Sequence, residues 1–472
     1  MSVRGSTFNP YLPLWEYIPD GEPHIFENRL YVYGSHDYAH GEVYCPGDYM
    51  GWSAPVNDLG NWDCEGVIYR KEQEALYPEE GMMFAPDVEQ GEDGRYYLYY
   101  QLSSTNWISV AASDSPSGPF SYYGRVQYED GSLPAGTAFD PGVLVENGRI
   151  YLYYGFSPKE KYPMMAELMP GAYMVELADD MKTVVSSPVL IANGYSSAKG
   201  TSFEEHPFFE ASSIRHYGNR YYFIYSSLQG HELCYALGDK PEGPFVYKGV
   251  LISNGDVGLS DGQRAYTANN HGSLVEIEGK YYIFYHRHTH GTHFSRQGCA
   301  EPVTIAEDGS IAQVEMTSCG LNQGPLPANQ KYPAAIICNL HGPRPAGQIP
   351  SKPPYDPDVP FLEETREMQK ENRLLYLKNM QNGAVCGVKY LEFKGENRIL
   401  LKLRGNKGIV KVMLDSEEGQ MLAEVVLADS CKTWIDCTAE FPASNGIHAV
   451  YFVCRPEEKS MDLASFEFLY CC

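Results

Sequence analysis

One hairpin-like pattern occurs five times between residues 20 and 290, and it constrains the fold more than any other feature. Each copy has a polar residue, a short strand with alternating apolar positions, a turn rich in Asn or Gly, and an aromatic strand. The aromatic strands read "YVY", "YYLYY", "YLYY", "YYFIY" and "YYIFYH". Aromatic and β-branched residues on either side of such a turn are typical of a β-hairpin. The pattern therefore predicts five β-hairpins.

The leading polar residue stands at a nearly constant distance from each aromatic strand. The five pairs are Asp20 and Tyr31, Asp87 and Tyr97, Asp140 and Tyr151, Glu210 and Tyr221, and His271 and Tyr281. Equal spacing predicts equivalent positions in equivalent hairpins. The hairpins recur at roughly 50 to 70 residues, which leaves room for two further strands in each unit. The near copies "SDSPSGPFSYYG" and "LGDKPEGPFVYKG" supply such strands.

Four strands in each of five units predict an all-β protein built on a five-bladed β-propeller. The composition agrees, because the 472 residues include 45 Gly and 32 Pro, which suits short strands joined by turns. A sandwich or a jelly roll would not require one hairpin to recur five times. The innermost strands of a propeller line its central axis, so we expect the five leading polar residues to converge there.

The hairpin pattern ends at about residue 320, where the Pro-rich stretch "NQGPLPANQKYPAAIICNLHGPRPAGQIPSKPPYDPDVP" begins. This composition is typical of a connector or an extended segment. Short alternating strands such as "NRILLKLRGNKGIVKVMLD" and "HAVYFVCRP" follow, and they predict a jelly-roll-like β-sandwich. The predicted domains are a propeller over residues 1–320 and a connector with a β-sandwich over residues 321–472.

The formal net charge of −25 argues against nucleic acid and anionic membranes as partners, because both require clustered Lys and Arg. We find no apolar leader region at the start and no run of about 18 apolar residues. The twelve cysteines lack metal-ligand spacing, and the adjacent Cys471 and Cys472 do not suit a disulfide framework. These features predict a soluble cytoplasmic protein with reduced thiols. They leave its oligomeric state open.

The leading carboxylates have a structural interpretation as well as a chemical one. Asp is common before strands because its side chain accepts hydrogen bonds in turns. That interpretation weakens over five units, since capping does not require an acidic or imidazole group each time and converging like charges repel. Three chemistries fit the cluster: glycosidic hydrolysis by two carboxyl groups, a hard-cation site, and non-catalytic sugar binding on Tyr faces.

At these residues the sequence resembles glycoside hydrolase family 43, whose members are five-bladed propellers with an active site at the axial mouth. The segment "NPYLPLWEYIPDGEPHIFENRLYVYGSHD" resembles the family's opening segment, and this implies that Asp20 is the general base. The family commonly has Pro after this Asp, so the sequence "DGEP" makes Glu22 a rival. The segment "AFDPGVLVENGRIYLYYG" is similar to the one whose Asp orients the acid and raises its pKa, which implies that role for Asp140.

The segment "HPFFEASSIRHYGNRYY" resembles the family segment that carries the general acid, which implies that role for Glu210. Glu204 and Glu205 lie upstream and out of register, and we expect them to be exposed loop charges. The segment "FAPDVEQGEDGRYYLYY" resembles the family's "WAPD" motif, with Phe84 in place of Trp. The resemblance implies that Asp87 shapes the floor of the substrate pocket, while Phe84 either stacks on the sugar or packs beneath it.

Two further segments resemble family segments that carry binding residues. "NNHGSLVEIEGKYYIFYH" resembles the one whose His lies on the axis beside a bound metal, commonly calcium, which makes His271 the candidate. "SRQGCAEPVTIAEDGSI" resembles the closing stretch in which an Arg, here Arg296, reaches into the substrate site. Between them lies a loop with His286, His288, His290 and His293. This cluster suggests zinc, but no Cys or carboxylate completes a tetrahedral set, so a solvated loop is favoured.

The resemblance implies an inverting hydrolase, in which Asp20 activates water and Glu210 protonates the leaving oxygen. Inversion requires about 6.5 to 9.5 Å between the two carboxyl groups. A nearby anionic Asp140 is expected to keep Glu210 protonated by like-charge repulsion. The implied activity is exo-acting release of arabinofuranose or xylose from small plant-derived oligosaccharides. An endo-arabinanase, a galactoside-directed hydrolase of the same fold and a non-catalytic sugar-binding propeller are the alternatives.

The C-terminal strands resemble, more loosely, the sandwich domains of some family 43 enzymes and the family 6 carbohydrate-binding modules. Glycan binding by such a domain would require exposed aromatic residues, and Trp434 is the only Trp in this part of the chain. We therefore expect a structural role, bracing the propeller, ahead of independent glycan binding.

Overall fold

The computed structural model describes residues 2–4, 7–74, 81–136, 138–162, 165, 167–350, 352, 356, 358–365 and 375–470, with the backbone alone for residues 2–4. The adjacent Cys471 and Cys472 lie outside the described residues. The ten cysteines within them are free thiols. No helix in the described part of the chain combines the length and apolar character needed to cross a bilayer.

Five antiparallel sheets follow one another along the chain as the blades of a propeller. Blade 1 contains β1 (Ser2–Arg4), β2 (Glu22–Phe26), β3 (Arg29–Tyr33), β4 (Tyr49–Pro55) and β5 (Asn61–Tyr69). Blade 2 contains β6 (Asp87–Gln90), β7 (Tyr96–Tyr100), β8 (Ser109–Ser113) and β9 (Ser121–Arg125). Blade 3 contains β10 (Gly142–Glu146), β11 (Arg149–Tyr154), β12 (Gly171–Leu177) and β13 (Val189–Asn193). Blade 4 contains β14 (Phe208–Tyr217), β15 (Arg220–Ser227), β16 (Glu232–Gly238) and β17 (Val246–Ser253). Blade 5 contains β18 (Leu274–Ile277), β19 (Lys280–Arg287) and β20 (Gln297–Val303).

The all-β propeller predicted from the sequence is confirmed, although the strand number varies between blades. Blades 2 to 4 have the predicted four strands, whereas blade 1 has five and blade 5 has three among the described residues. The N-terminal strand β1 adds to blade 1 by pairing with β5. After β20 the chain leaves blade 5, because Val314 forms a bridge with Ile252 of β17 in blade 4.

The aromatic strands are buried on both faces, which explains their unbroken apolar sequence. In β7, Tyr97 and Tyr99 pack toward blade 3, while Leu98 and Tyr100 pack toward blade 1. Similar clusters fill the other three blade interfaces. Each fully buried aromatic or aliphatic side chain contributes about 1.5–3 kcal/mol of transfer free energy. Packing between blades thus fixes the orientation of the inner strands β2, β6, β10, β14 and β18 around the axis.

The second domain is a two-sheet β-sandwich, as predicted. Its first sheet contains β21 (Leu326–Pro327), β23 (Asn339–His341), β26 (Val385–Lys394), β28 (Gly408–Leu414), β29 (Gln420–Leu427) and β31 (Asn445–Pro456). Its second sheet contains β22 (Lys331–Pro333), β24 (Phe361–Glu364), β25 (Leu375–Gln381), β27 (Arg398–Gly405), β30 (Cys431–Glu440) and β32 (Ser460–Leu469). The predicted boundary near residue 320 falls between β20 and β21.

The sandwich lies directly against the propeller. Lys389 in β26 binds two propeller carboxylates, Glu315 at 2.6 Å and Asp256 at 3.4 Å. The second sheet also contacts the loop after β19 of the fifth blade, because Leu362 N in β24 donates to Thr289 O at 2.9 Å. The second domain therefore supports the loops around the fifth blade.

Candidate active site

The leading Asp residues of blades 1 and 3 share an unusual backbone conformation. Asp20 has a φ of 59° and Asp140 a φ of 45°, and each lies two residues before its inner strand. Left-handed backbone is tolerated by few residue types, of which Asp is one. Both side chains are buried, with 4% exposure. Such a conformation repeated at the same step of two blades indicates a functional site.

Asp20 is held as an ionised carboxylate. Arg296 Nη1 donates to its Oδ1 at 2.8 Å, and His286 Nδ1 lies 3.2 Å from the same oxygen. Burial acts to raise the pKa of Asp20, but Arg296 and His286 outweigh burial and hold the pKa below its usual range. An ionised carboxylate is the form that a general base requires.

Arg296 is fixed by a second carboxylate, Asp37. The Arg296 Nε and Nη2 atoms donate to the two oxygens of Asp37 at 2.8 and 3.1 Å. Arg296 is 1% exposed and Asp37 is fully buried. The structure thus places Arg296 on Asp20, and its predicted contact with substrate stays a prediction. Asp37 was not predicted from the sequence, although its place shortly after the first aromatic strand was a signal.

Glu210 lies in an irregular part of its strand. The register of β14 against β15 shifts on both sides of Glu210, and the next residue, Ala211, has a φ of 67°. The Ala211 N–H donates to Asp140 Oδ2 at 3.0 Å. A β-bulge of this kind re-aims a side chain. Asp140 therefore fixes the backbone that carries Glu210, which agrees with the orienting role that the sequence implied.

Glu210 is protonated near neutral pH. Its pKa is raised to about 8, first by burial and then by the charge of Asp20. The prediction that Asp140 causes this protonation is wrong, since burial and Asp20 are its main causes in the structure. The pKa of Asp140 is itself raised well above the usual value, by burial and then by Glu210. Since these two carboxyl groups repel, their protons are lost in two steps whose pKa values belong to the pair.

Glu22, the rival base, lies in a different environment. Arg215 Nη2 and Ser213 Oγ donate to its Oε2 at 2.7 and 3.1 Å, and burial raises the pKa of Glu22 to about 7. Arg215 also donates to Leu274 O at 2.9 Å, so its guanidinium joins blades 1, 4 and 5. The ionised Asp20 suits the role of base better. Arg215 was not predicted, because nothing in the sequence around it distinguishes it from a surface Arg.

Asp87 lies deeper than equal spacing predicted. It is the first residue of β6 and pairs with Tyr99, which aligns it with Glu22, the partner of Tyr33. The prediction of one shared position is therefore wrong for Asp87. Asp87 is fully buried, and its oxygens accept from His24 Nε2 at 2.7 Å and Val143 N at 2.8 Å. These contacts suit a pocket floor, as the resemblance implied.

His271 lies on the axis between two carboxyl groups. Its Nδ1 is 3.6 Å from Asp140 Oδ2, and its Nε2 is 3.9 Å from Glu22 Oε1. Burial is the main cause that lowers the pKa of His271, to about 4, so the imidazole is neutral. A neutral ring nitrogen can act as a metal ligand.

Phe84 belongs to an aromatic cluster beside the acid. Its ring centroid lies 5.0 Å from that of Phe139, Phe139 packs on Phe156 at 4.8 Å, and Phe156 packs on Phe209 at 5.2 Å. Phe139 and Phe209 directly precede Asp140 and Glu210 in the chain. Because Phe84 is 9% exposed, the structure supports packing within this apolar wall more than stacking on a sugar.

The four histidines of the fifth-blade loop are buried, so the favoured interpretation as a solvated loop is wrong. Their exposures lie between 0% and 6%. Their ring nitrogens have these partners: Asn269 O for His286, Asn269 Oδ1 for His288, Tyr17 OH for His290, and Tyr44 OH for His293. They form no metal-ligand cluster within the described residues. Glu204 and Glu205 are exposed, as expected.

An ionised carboxylate and a protonated carboxyl group at the axial mouth of a five-bladed propeller define a glycosidase of the propeller class. Comparison with known proteins agrees, since residues 31–311 match the model of glycosyl hydrolases family 43. The chain belongs to this family and is a glycoside hydrolase, which confirms the predicted resemblance.

Three similar proteins illustrate this membership. A xylosidase/arabinosidase of Thermoclostridium stercorarium is 46% identical over 96% of this chain and 97% of its own. The crystal structure of a family 43 β-xylosidase/α-arabinofuranosidase from a compost microbial metagenome, with xylotriose and in a calcium-free form, is 26% identical. It covers 66% of this chain and 98% of its own, with a TM-score of 0.53. A Bacillus subtilis arabinoxylan arabinofuranohydrolase matches 99% of both chains at 20% identity and a TM-score of 0.51, which supports the two-domain fold.

Proposed function

We propose that this protein is an inverting, exo-acting hydrolase that releases arabinofuranose or xylose from short plant-derived oligosaccharides. The opposite pKa shifts of Asp20 and Glu210 carry the proposal. One carboxyl group is ionised and the other is protonated at the same pH, as a base and an acid on opposite sides of a glycosidic bond must be. A non-catalytic sugar-binding protein would have no use for this difference.

Asp20 accepts a proton from water as that water attacks the anomeric carbon. Glu210 donates its proton to the leaving oxygen on the other side of the sugar ring. Arg296 keeps Asp20 ionised, and Asp140 holds the backbone beside Glu210 so that the acid points at the leaving oxygen. The arrangement inverts the anomeric centre, because no carboxylate attacks carbon.

The names and ligands of similar proteins support pentose as the sugar. The Thermoclostridium stercorarium relative is a xylosidase/arabinosidase, and the compost enzyme binds xylotriose. The direct experiment is a panel of aryl pentosides and hexosides, with Asp20→Asn protein as the blank, because the base acts on every substrate. Hydrolysis of a xyloside or an arabinofuranoside is expected, whereas hydrolysis of hexosides alone would overturn the assignment of pentose.

We further propose that a calcium ion binds at the propeller axis, held by His271 and Glu22. The residues fit a cation, because Glu22 Oε1 is a buried oxygen without a hydrogen-bond partner among the described residues and faces His271 Nε2 at 3.9 Å. Calcium accepts carboxylate oxygens and completes its shell with water. When bound, it would offset the negative charge that converges on the axis.

Thermal unfolding tests the calcium proposal. Adding CaCl2 to protein treated with EDTA should raise the Tm of the parent chain and leave the Tm of a Glu22→Gln/His271→Ala variant unchanged. An equal rise in both proteins, or no rise in either, would remove calcium from the axis.

We also propose that the protein acts in the cytoplasm and that its sandwich is structural. The free state of the ten described cysteines supports a reducing compartment. Trp434 packs against Tyr376 at 5.2 Å between ring centroids and lies 4.4 Å from the guanidinium carbon of Arg404. The Trp434 ring is therefore engaged within the domain, which supports a bracing role over glycan binding.

A further inference from the structure

Tyr44 lies between Arg296 and a buried histidine. The guanidinium carbon of Arg296 is 5.1 Å from the centroid of the Tyr44 ring, a distance at which a cation is attracted to an aromatic face. The Tyr44 hydroxyl is 2.6 Å from His293 Nδ1. Since Arg296 also donates to Asp20 at 2.8 Å, Tyr44 is one residue removed from the proposed base.

The protonation of His293 follows from its second contact. Its Nε2 lies 2.9 Å from the carbonyl oxygen of Ile349, and a carbonyl only accepts, so Nε2 carries the proton. Burial lowers the pKa of His293, so the ring is neutral and Nδ1 accepts from the Tyr44 hydroxyl. Ile349 thereby selects the tautomer that holds Tyr44.

Ile349 belongs to the connector rather than to the propeller. Its N–H donates to Thr267 O at 2.8 Å, and Thr267 N–H donates to Gly347 O at 3.2 Å. These two hydrogen bonds attach the connector to the loop before the fifth blade. The contact on His293 therefore depends on a segment that follows the propeller in the chain.

We propose that Tyr44 and His293 are positioning residues for Asp20, acting through Arg296, and that the connector at Ile349 completes their arrangement. This inference rests on the proposed function, in which Asp20 is the base. Activation of water by a base demands accurate placement, and an error of about 1 Å can cost on the order of 10²-fold in rate. The second domain would thus contribute to catalysis without touching the substrate.

Tyr17 and His290 provide a matched control pair, with the histidine in the same loop. The Tyr17 hydroxyl lies 3.0 Å from His290 Nε2, so this pair has the same chemistry as Tyr44 and His293. Tyr17 and His290 are both buried. Tyr17→Phe removes only the hydroxyl that meets His290 and keeps the Tyr17 carbonyl, which accepts from Asp37 N at 3.0 Å. A merely structural role would make the two pairs respond alike.

The test compares Tyr44→Phe with Tyr17→Phe, and it compares His293→Ala with His293→Gln. Tyr44→Leu is a further variant, which removes the aromatic ring. Steady-state kinetics are measured on an activated aryl pentoside and on an unactivated oligosaccharide, with the Tm of each variant recorded. Tyr44→Phe should lower kcat several-fold, and Tyr44→Leu on the order of 10²-fold, with KM within about twofold. Because the base acts on every substrate, the loss should be equal on both. His293→Gln, which keeps a donor and an acceptor, should restore most of the kcat that His293→Ala loses.

Equal kcat in Tyr44→Phe and Tyr17→Phe would overturn the proposal, as would a loss confined to KM or to the unactivated substrate. The conservative Phe pair decides the question if Tyr44→Leu does not fold. An Asp20→Asn variant separates this proposal from the proposed function. If Asp20→Asn is active, the base assignment and the positioning role both fail. If Asp20→Asn is inactive and Tyr44→Phe matches Tyr17→Phe, the positioning role alone fails.

Discussion

Asp140 accepts a hydrogen bond from the backbone N–H of Ala211 at 3.0 Å, and Ala211 is the residue after Glu210. The carboxyl group of Asp140 on blade 3 thus fixes the backbone of blade 4 from which the Glu210 side chain projects. Both Asp140 and Ala211 have left-handed backbone, so local backbone strain accompanies this contact. Orientation by hydrogen bonding and repulsion between charges are separate effects of Asp140, and substitutions can distinguish them.

Asp140→Asn should keep the hydrogen bond from Ala211 and remove the ionisable group. Because burial and Asp20 are the main causes of the raised pKa of Glu210, the basic limb of the pH profile of kcat/KM should stay near that of the parent enzyme. Asp140→Ala also removes the hydrogen bond, so its kcat should fall further. A basic limb displaced to lower pH in Asp140→Asn would show that the charge of Asp140 holds the proton of Glu210.

The unmodified enzyme should lose activity as the pH rises through about 8. Glu210 acts as an acid only when it is protonated, and its pKa is raised to about 8 by burial and by Asp20. Because the pKa of Asp20 is held below its usual range, Asp20 should not limit activity in weakly acidic solution. A pH profile of kcat/KM measures both limits, and a basic limb near pH 5 would contradict the environment described for Glu210.

Glu210→Ala should lower kcat on an unactivated pentoside by about 10²- to 10⁴-fold, the range that general acids supply. The loss should be much smaller on an aryl pentoside whose leaving group needs little protonation. Parallel kinetics on the two substrates provide the measurement. An equal loss on both would show that Glu210 is not the acid.

Asp37→Asn should destabilise the fold, because it leaves the buried Arg296 with one carboxylate in place of two. Breaking a buried ion pair costs about 3–5 kcal/mol. Denaturant unfolding of Asp37→Asn should show a loss of this order in the free energy of unfolding. Asp356→Asn breaks an exposed pair with Arg344 and should cost about 0–1 kcal/mol. Equal effects of the two substitutions would refute the role of Asp37.

The hairpins and the five-bladed fold were predictable because each hairpin is encoded within about twenty consecutive residues. Asp20, Asp140 and Glu210 followed from the same pattern and from the family resemblance. The depth of Asp87 did not follow, because a five-residue turn joins β6 to β7 whereas two residues join β2 to β3. Constant spacing in sequence therefore hid a difference in register.

The contacts that the sequence did not reveal join residues far apart in the chain. Asp37 meets Arg296 across 259 positions, and the Tyr44 hydroxyl meets His293 across 249. The fifth-blade loop appeared solvated in the sequence because the connector that covers it follows about 60 residues later. Burial by a second domain leaves no local signal in the segment that becomes buried.

The first sugar released by the enzyme tests the central claim most directly. Proton NMR can follow hydrolysis of an aryl pentoside from its first minutes, before the free sugar mutarotates. With Asp20 activating water and Glu210 protonating the leaving oxygen, the anomer formed first should have the configuration opposite to that of the substrate. Initial release of the anomer with the substrate's own configuration would contradict the account.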